Sequence, residues 1–148
     1  MLTIVETLAD YGASVKDPEQ LTEFVRQRLG RTVVRPYLDS TNTLHVISLD
    51  PSIEKMLQEH LRQTETGGYY LSISPQTAQK ILSAISETFE KIEVKEGHPV
   101  LLTGIQIRPH LAKLVTRFIP LLPVISHGEI PPDVKIQSVA VVRLKDAN

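Results

Sequence analysis

Cysteine is absent from the 148 residues, which removes disulfides, thiolate metal sites and cysteine nucleophiles together. The absence also fits a reducing compartment. No apolar run approaches the roughly 18 residues that a membrane helix requires. Neither charge is in excess: 16 Lys and Arg stand against 17 Asp and Glu, for a net charge of −1. Nucleic-acid binding needs a concentrated positive surface, so no nucleic-acid partner is expected. His45, His60, His98, His110 and His127 form no His-x-x-x-His or His-Glu-x-x-His pair, and a local metal signature is missing. Gly67-Gly68 sits in neither of the glycine-rich frames that cradle phosphates and reads as a turn before a strand. Ser48, Ser72 and Ser126 lie outside any Gly-x-Ser-x-Gly elbow. No cofactor is implied.

What remains is an ordinary globular composition, with 41% hydrophobic and 22% charged residues, at a length that suits one domain or a domain with an appendage. The opening "MLTIVETLAD" is too short and too acidic for a signal peptide. It reads as the middle of an amphipathic helix with no capping residue ahead of Met1-Leu2, as in a chain cut from something longer.

Four helices carry a proline in the first turn, where the missing N–H is no loss. Asp17-Pro18, with Gln20 three residues after Asp17, has the capping-box arrangement. Asp50-Pro51 and Ser74-Pro75 repeat the device, and Pro109 follows the poorer cap Arg108. Apolar stripes at helical spacing run through Leu21, Phe24, Val25 and Leu29, then Ile53, Met56, Leu57 and Leu61. A third joins Ala78, Ile81, Leu82, Ile85, Phe89 and Ile92, and a fourth joins Ile107, Leu111, Leu114, Val115 and Phe118. Each helix is one-sided and must lie on something.

Between them sit β-rich runs at Leu44 to Leu49, Tyr69 to Ile73, Val100 to Leu102, Val124 to Ile125 and Ile136 to Arg143. Alternation of strand and helix predicts an α/β fold with parallel pairs. The expectation is a mixed sheet of four or five strands packed with three helices, its last strand antiparallel to a neighbour after the Pro131-Pro132 turn. Two helices without strands precede it, and the polar run Asp39 to Thr43 suggests a boundary. Residues 1–42 then form the end of a helical subdomain and 43–148 an α/β subdomain.

The segment "SHGEIPPD" after the fourth run offers the candidate site. A strand ending at Ser126 would place His127, Glu129 and Asp133 at the carboxyl edge of a sheet, where open α/β sheets bind ligands. That pattern permits a small enzyme using His127 with Glu129 or Asp133. The structural reading weighs more. Gly128 allows a tight turn, Ile130, Pro131 and Pro132 stiffen the loop, Ile130 could peg the sheet end, and no nucleophile accompanies the acids. A protein-contact or assembly role is therefore expected for His127, Glu129, Ile130, Pro131 and Pro132. Arg28, Arg31 and Arg35, which share a helix face by spacing, form a second candidate contact.

Taken in order, "KDPEQLTEFVRQRLGR", "HVISLDPSIEKML", "LSISPQTAQKIL", "HPVLLTGIQIRPHLAKLV" and "LPVISHGEIPPDVKIQSVAVV" resemble the late cytoplasmic segment of the FlhA family, the export-gate proteins of the bacterial flagellum and related type III secretion systems. The resemblance runs from about Glu6 to Val142. It implies a parent protein with a membrane-spanning half and a cytoplasmic half, here the end of its third subdomain and all of its fourth. It also implies a ring, usually of nine copies, on the cytoplasmic side of the inner membrane, with export chaperones, substrates and other export-apparatus proteins as partners. No hydrolytic chemistry is implied. The family often has Ser-Tyr where this chain has Ser126-His127, which puts any aromatic contact there in doubt.

Overall fold

The computed structural model describes residues 18–65 and 67–144. The helix expected ahead of Asp17, and Asp17 itself as a cap, lie outside those residues. The described chain opens with helix α1 (Pro18–Arg28) and a short α2 (Gly30–Val34), followed by a 3-10 turn, Arg35–Tyr37. Strand β1 (Thr43–Leu49) leads into α3 (Pro51–Glu59), a hairpin of β2 (Leu61–Gln63) and β3 (Tyr69–Leu71), and α4 (Pro75–Glu90). Then come β4 (Val100–Thr103), α5 (Arg108–Phe118), β5 (Val124–Ser126), a second 3-10 turn (His127–Glu129) and β6 (Lys135–Val142).

The caps act largely as the sequence indicates. The Asp50 carboxylate accepts from the Ser52 N–H, and the Ser74 hydroxyl accepts from the Thr77 N–H. Both satisfy donors that a helix start leaves unpaired. Helix α3 stops two residues short of Leu61, the end of its stripe. His60 closes it, its ring nitrogen meeting the Met56 carbonyl at 2.7 Å, and Leu61 begins the hairpin instead. Strand β3 falls within the expected run Tyr69 to Ile73 but pairs in this hairpin, and β2 is an addition to the expected strands, since Leu61–Gln63 shows no alternation long enough to announce it.

The main sheet has four strands in the order β5-β4-β1-β6, and every pair is parallel. The α/β class and the strand count are as expected, whereas the antiparallel last strand is corrected: β6 runs parallel to β1. The physical reason lies in residues 127–134. They do not make a tight reversal. Ile130 and Val134 pack against Leu44, Val46, Val100 and Ile125, so the chain crosses that face of the sheet from one edge to the other. It re-enters beside β1 in the same direction. The antiparallel pairing sits apart, in the β2–β3 hairpin.

Alternation along β1 explains the two layers. Ile47 and Leu49 face a core built with Ile53 and Leu57 of α3, Ile81, Leu82 and Ile85 of α4, and Leu111 and Val115 of α5. Leu44 and Val46 face a smaller core closed by Val33, Val34, Tyr37 and Leu38. Helix α2 and the turn after it therefore cover one sheet face. Phe118 departs from its stripe and is 61% exposed, because the helix ends there and carries it past the sheet.

Ile85 has no exposed surface. Ile85→Ala should lower unfolding free energy by about 2–5 kcal/mol, while Ser83→Ala on the exposed side of the same helix should stay within about 0.5 kcal/mol. Urea denaturation of both variants checks the assignment of the helix face.

Candidate functional site

Ser126 ends β5 fully buried, and the chain turns at once through His127, Gly128 and Glu129. The Ser126 hydroxyl donates to Glu129 Oε1 at 3.1 Å, and the Ser126 N–H points at the same oxygen at 3.4 Å. This is a capping box on a single turn, and its Ser-x-x-Glu spacing is legible in the sequence. Its consequence is to drive Glu129 inward. The side chain is wholly buried, whereas Ile130 is half-buried and His127 exposed. The peg of this loop is a carboxylate, with Ile130 packing beside it.

A buried carboxylate survives only if paired. Arg26 of α1 donates to Glu129 Oε2 at 2.7 Å, and Arg108 at the start of α5 brings Nε within 3.3 Å of Oε1. Arg108 also donates to the Val124 carbonyl at 3.0 Å and, through Nη1, to Glu23. Two guanidiniums and two carboxylates thus form a neutral cluster joining α1, α5, β5 and the turn. Burial pushes the Glu23 carboxyl above its ordinary value, and the neighbouring Arg108 pulls back only part of that rise.

Two further contacts tie the helical segment to the loop. Arg31 clasps Asp133 with two bonds of 2.8 Å, which holds the Asp133 carboxyl below its usual range. Gly30 lies so close to the loop that a Cβ there would fall 2.0 Å from the Glu129 carbonyl oxygen. Only glycine lets α2 approach. Nearby, Asp39 accepts from the Thr41 hydroxyl at 2.7 Å and from the Thr43 N–H at 3.0 Å, and meets His45 at 3.0 Å. These bonds, the Thr41 hydroxyl foremost, hold its carboxyl well below the usual carboxylate range.

The expected site residues therefore divide. Glu129 is committed to Arg26 and Arg108, Asp133 to Arg31, and His127 stands in solvent. A general base needs a carboxylate or imidazole free to reach a proton, so these three do not converge as the enzyme alternative requires. Pro131 is half-buried and Pro132 exposed along the crossover. Arg28, Arg31 and Arg35 are all exposed, but Arg31 already has a partner. The free part of the basic face, among the described residues, is Arg28 and Arg35. Sequence reasoning missed Glu23, Arg26, Gly30 and Arg108 as site members, because their partners lie in other elements, 85 to 103 residues away for the first three, and no local spacing records that.

The FHIPEP family model matches residues 1–135. The chain belongs to the FHIPEP family. It is 32% identical over 142 residues to the flagellar biosynthesis protein FlhA of Bacillus subtilis (strain 168), covering 96% of this chain and 21% of that protein. Proteins of known structure share the fold. The Chlamydia pneumoniae CdsV protein superposes with a TM-score of 0.83 at 33% identity, covering 95% of this chain and 40% of that one, and CdsV is also known in complex with CdsO. Nonameric EPEC SctV-C gives 0.80 at 32% identity, over 96% of this chain and 42% of that one. This chain spans about a fifth of the curated FlhA relative. Among the described residues, no helix is long and apolar enough to cross a membrane.

Removing Glu129 should expose the cost of the cluster. Glu129→Ala leaves Arg26 without its carboxylate and Arg108 with one of two, and should destabilise by about 3–5 kcal/mol in urea denaturation. The acid response follows from Asp39 and Asp133. Their folded pKa values are lowered, so the stability they add is present above the unfolded value near 4 and is lost as pH falls through the folded values. Glu23, whose folded pKa is raised, acts in the opposite sense. Urea midpoints measured from pH 6 downward should drop below about pH 4, and Asp39→Asn should flatten that drop.

Proposed function

We propose that this chain is the cytoplasmic docking and ring-assembly part of a flagellar type III protein export gate. Its residues 1–42 would close the third subdomain and residues 43–148 would form the fourth. The parent protein would be integral to the inner membrane, with this part beneath it in a ring of nine copies. The observation that carries the reading is the likeness to nonameric SctV-C, at a TM-score of 0.80 over 96% of the chain. The complex of CdsV with CdsO supports an export-apparatus partner for this region. Export chaperones and substrates complete the proposed partner set, and the flagellar assignment follows the FlhA relative.

The contact residues of this proposal are the exposed Arg28, Arg31 and Arg35, together with the loop His127, Glu129, Ile130, Pro131 and Pro132. Glu129 would act indirectly, by fixing the loop's shape. Rim charges set partner choice and encounter rate more than fold stability. The double variant Arg28→Glu, Arg35→Glu in the intact parent protein should therefore keep the melting temperature within about 2 °C and reduce secretion of flagellar subunits at least tenfold. His127→Ala should keep the fold and reduce secretion only as far as it weakens partner binding. Full export by a parent protein truncated after residue 42 would overturn the proposal. Loss of export in His127→Ala, with fold, ring and partner affinities intact, would restore the enzyme reading.

A further inference from the structure

A cleft of about 390 Å³ lies between α1, the end of α3, the hairpin and the start of α5. It opens where β4 ends and α5 begins, at the carboxyl edge of the parallel sheet, where open α/β sheets take ligands. Its residues are layered by depth. Glu23 and His110 are buried and form the floor. Phe24, Leu61 and Pro109 are half-buried and form the walls. Gln20, Gln58 and Gln106 are exposed at the rim, with the rings and methyls of Tyr69 and Ile105 beside them.

The floor is incompletely paired. The Glu23 side chain exposes 9% of its surface. Its Oε1 accepts from Arg108, whereas Oε2 is shut off from solvent and meets no donor among the described residues. A buried acceptor left in that condition carries a desolvation cost until a donor reaches it. Arg108 divides itself between Glu23 and Glu129 and leaves Glu23 short of positive charge. No lysine or arginine stands among the described residues that line the cleft. Glu54 adds a second carboxylate beside the rim: a Cβ built on Gly104 would lie 4.0 Å from Glu54 Oε2 and 3.7 Å from Gln58 Nε2.

We propose that this cleft receives an arginine side chain from a partner polypeptide. The inference rests on the reading of this chain as a docking module and names the group it would grip. An acidic floor, apolar walls and a polar rim match a side chain with an apolar stem and a charged tip. The guanidinium meets Glu23, whose carboxylate turns an oxygen into the cleft about its soft terminal torsion. The methylenes lie against Phe24, Leu61 and Pro109, and the rim glutamines meet the guest's flanking backbone.

Other guests suit the cleft less well. One turn of helix with its side chains occupies about 500 Å³, more than the cleft holds, so a single side chain enters and not a helix. Anionic groups find no cation there. A lysine ammonium is more strongly hydrated than a guanidinium and cannot stack on a ring, whereas arginine lies flat against aromatic faces such as Phe24 and Tyr69. Desolvated arginines are also common anchors of protein contacts.

The test uses the 148-residue chain and three capped tripeptides, glycine–X–glycine, in which X is arginine, lysine or the uncharged isostere citrulline. Heteronuclear NMR follows the side-chain amides of Gln20, Gln58 and Gln106 and the backbone amide of Ile105. The arginine peptide should shift these signals in a saturable way at millimolar concentration, and the lysine and citrulline peptides should bind about tenfold more weakly, as the loss of a charge-assisted hydrogen bond requires. Glu23→Gln keeps the shape and removes the charge, so it should bring the arginine and citrulline peptides to equal affinity. Should that variant misfold, Gln58→Lys sets a cation at an exposed rim position instead. It should weaken the arginine peptide severalfold and leave the citrulline peptide and the melting temperature unchanged. Equal binding of arginine and citrulline by the unaltered chain, lysine binding as tight as arginine, or no shift at the cleft would overturn the proposal. So would an arginine affinity indifferent to Gln58→Lys. None of these readouts involves a ring or export, so the docking-module reading can fail or stand separately.

Discussion

A single buried carboxylate organises the region where helix and sheet meet. Glu129 has no exposed side-chain surface, and the cost of desolvating its charge must be met by what surrounds it. Ser126 holds it from within its own turn, Arg26 reaches it from α1 and Arg108 from α5. Each of these groups comes from a different element, so satisfying one charge fixes three relative positions. The closeness of Gly30 to the Glu129 carbonyl and the Arg31–Asp133 clasp then follow as neighbours of that arrangement.

This explains why the loop resembles an active site without the geometry of one. Catalytic acids have strongly perturbed environments, and so do structural ion clusters. The distinction lies in commitment. Glu129 spends both oxygens on protein donors, Asp133 does the same with Arg31, and the neighbouring histidine faces water. Charged groups arranged in this way convert the end of β5 into a joint between helical and α/β parts. The exposed surface around the joint carries Arg28 and Arg35.

Much of the fold was legible because it is local. Prolines after Asp50 and Ser74 mark helix starts through their fixed φ and their caps, and the Ile81–Leu82–Ile85 stripe names its buried face. Unreadable parts depend on distance along the chain. The direction of β6 could not be inferred from Pro131-Pro132, since proline stiffens a segment without deciding whether it reverses or crosses. Hairpin strand β2 is three residues long, below the length at which alternation declares itself. Arg108 looked like a poor cap. Its use appears only when Glu23 and Glu129 are brought to it. The Ser126–Glu129 capping box was the readable part of the site, a spacing rule recorded in four residues.

Strand β1 sits in the interior of the sheet yet comes first among its strands. Its nearest sheet partner in sequence, β4, begins at Val100, and its other neighbour pairs from Lys135 onward, opposite Thr43. During synthesis, the apolar run Leu44 to Leu49 therefore has no sheet to join until more than 50 further residues have been made, and β6 closes a separation of 135 − 43 = 92 residues. Non-local parallel pairing of this kind folds slowly and leaves apolar strands open to aggregation while they wait. The newborn chain consequently depends on α3, α4 and the hairpin forming early around β1, as a local shelter that precedes the sheet.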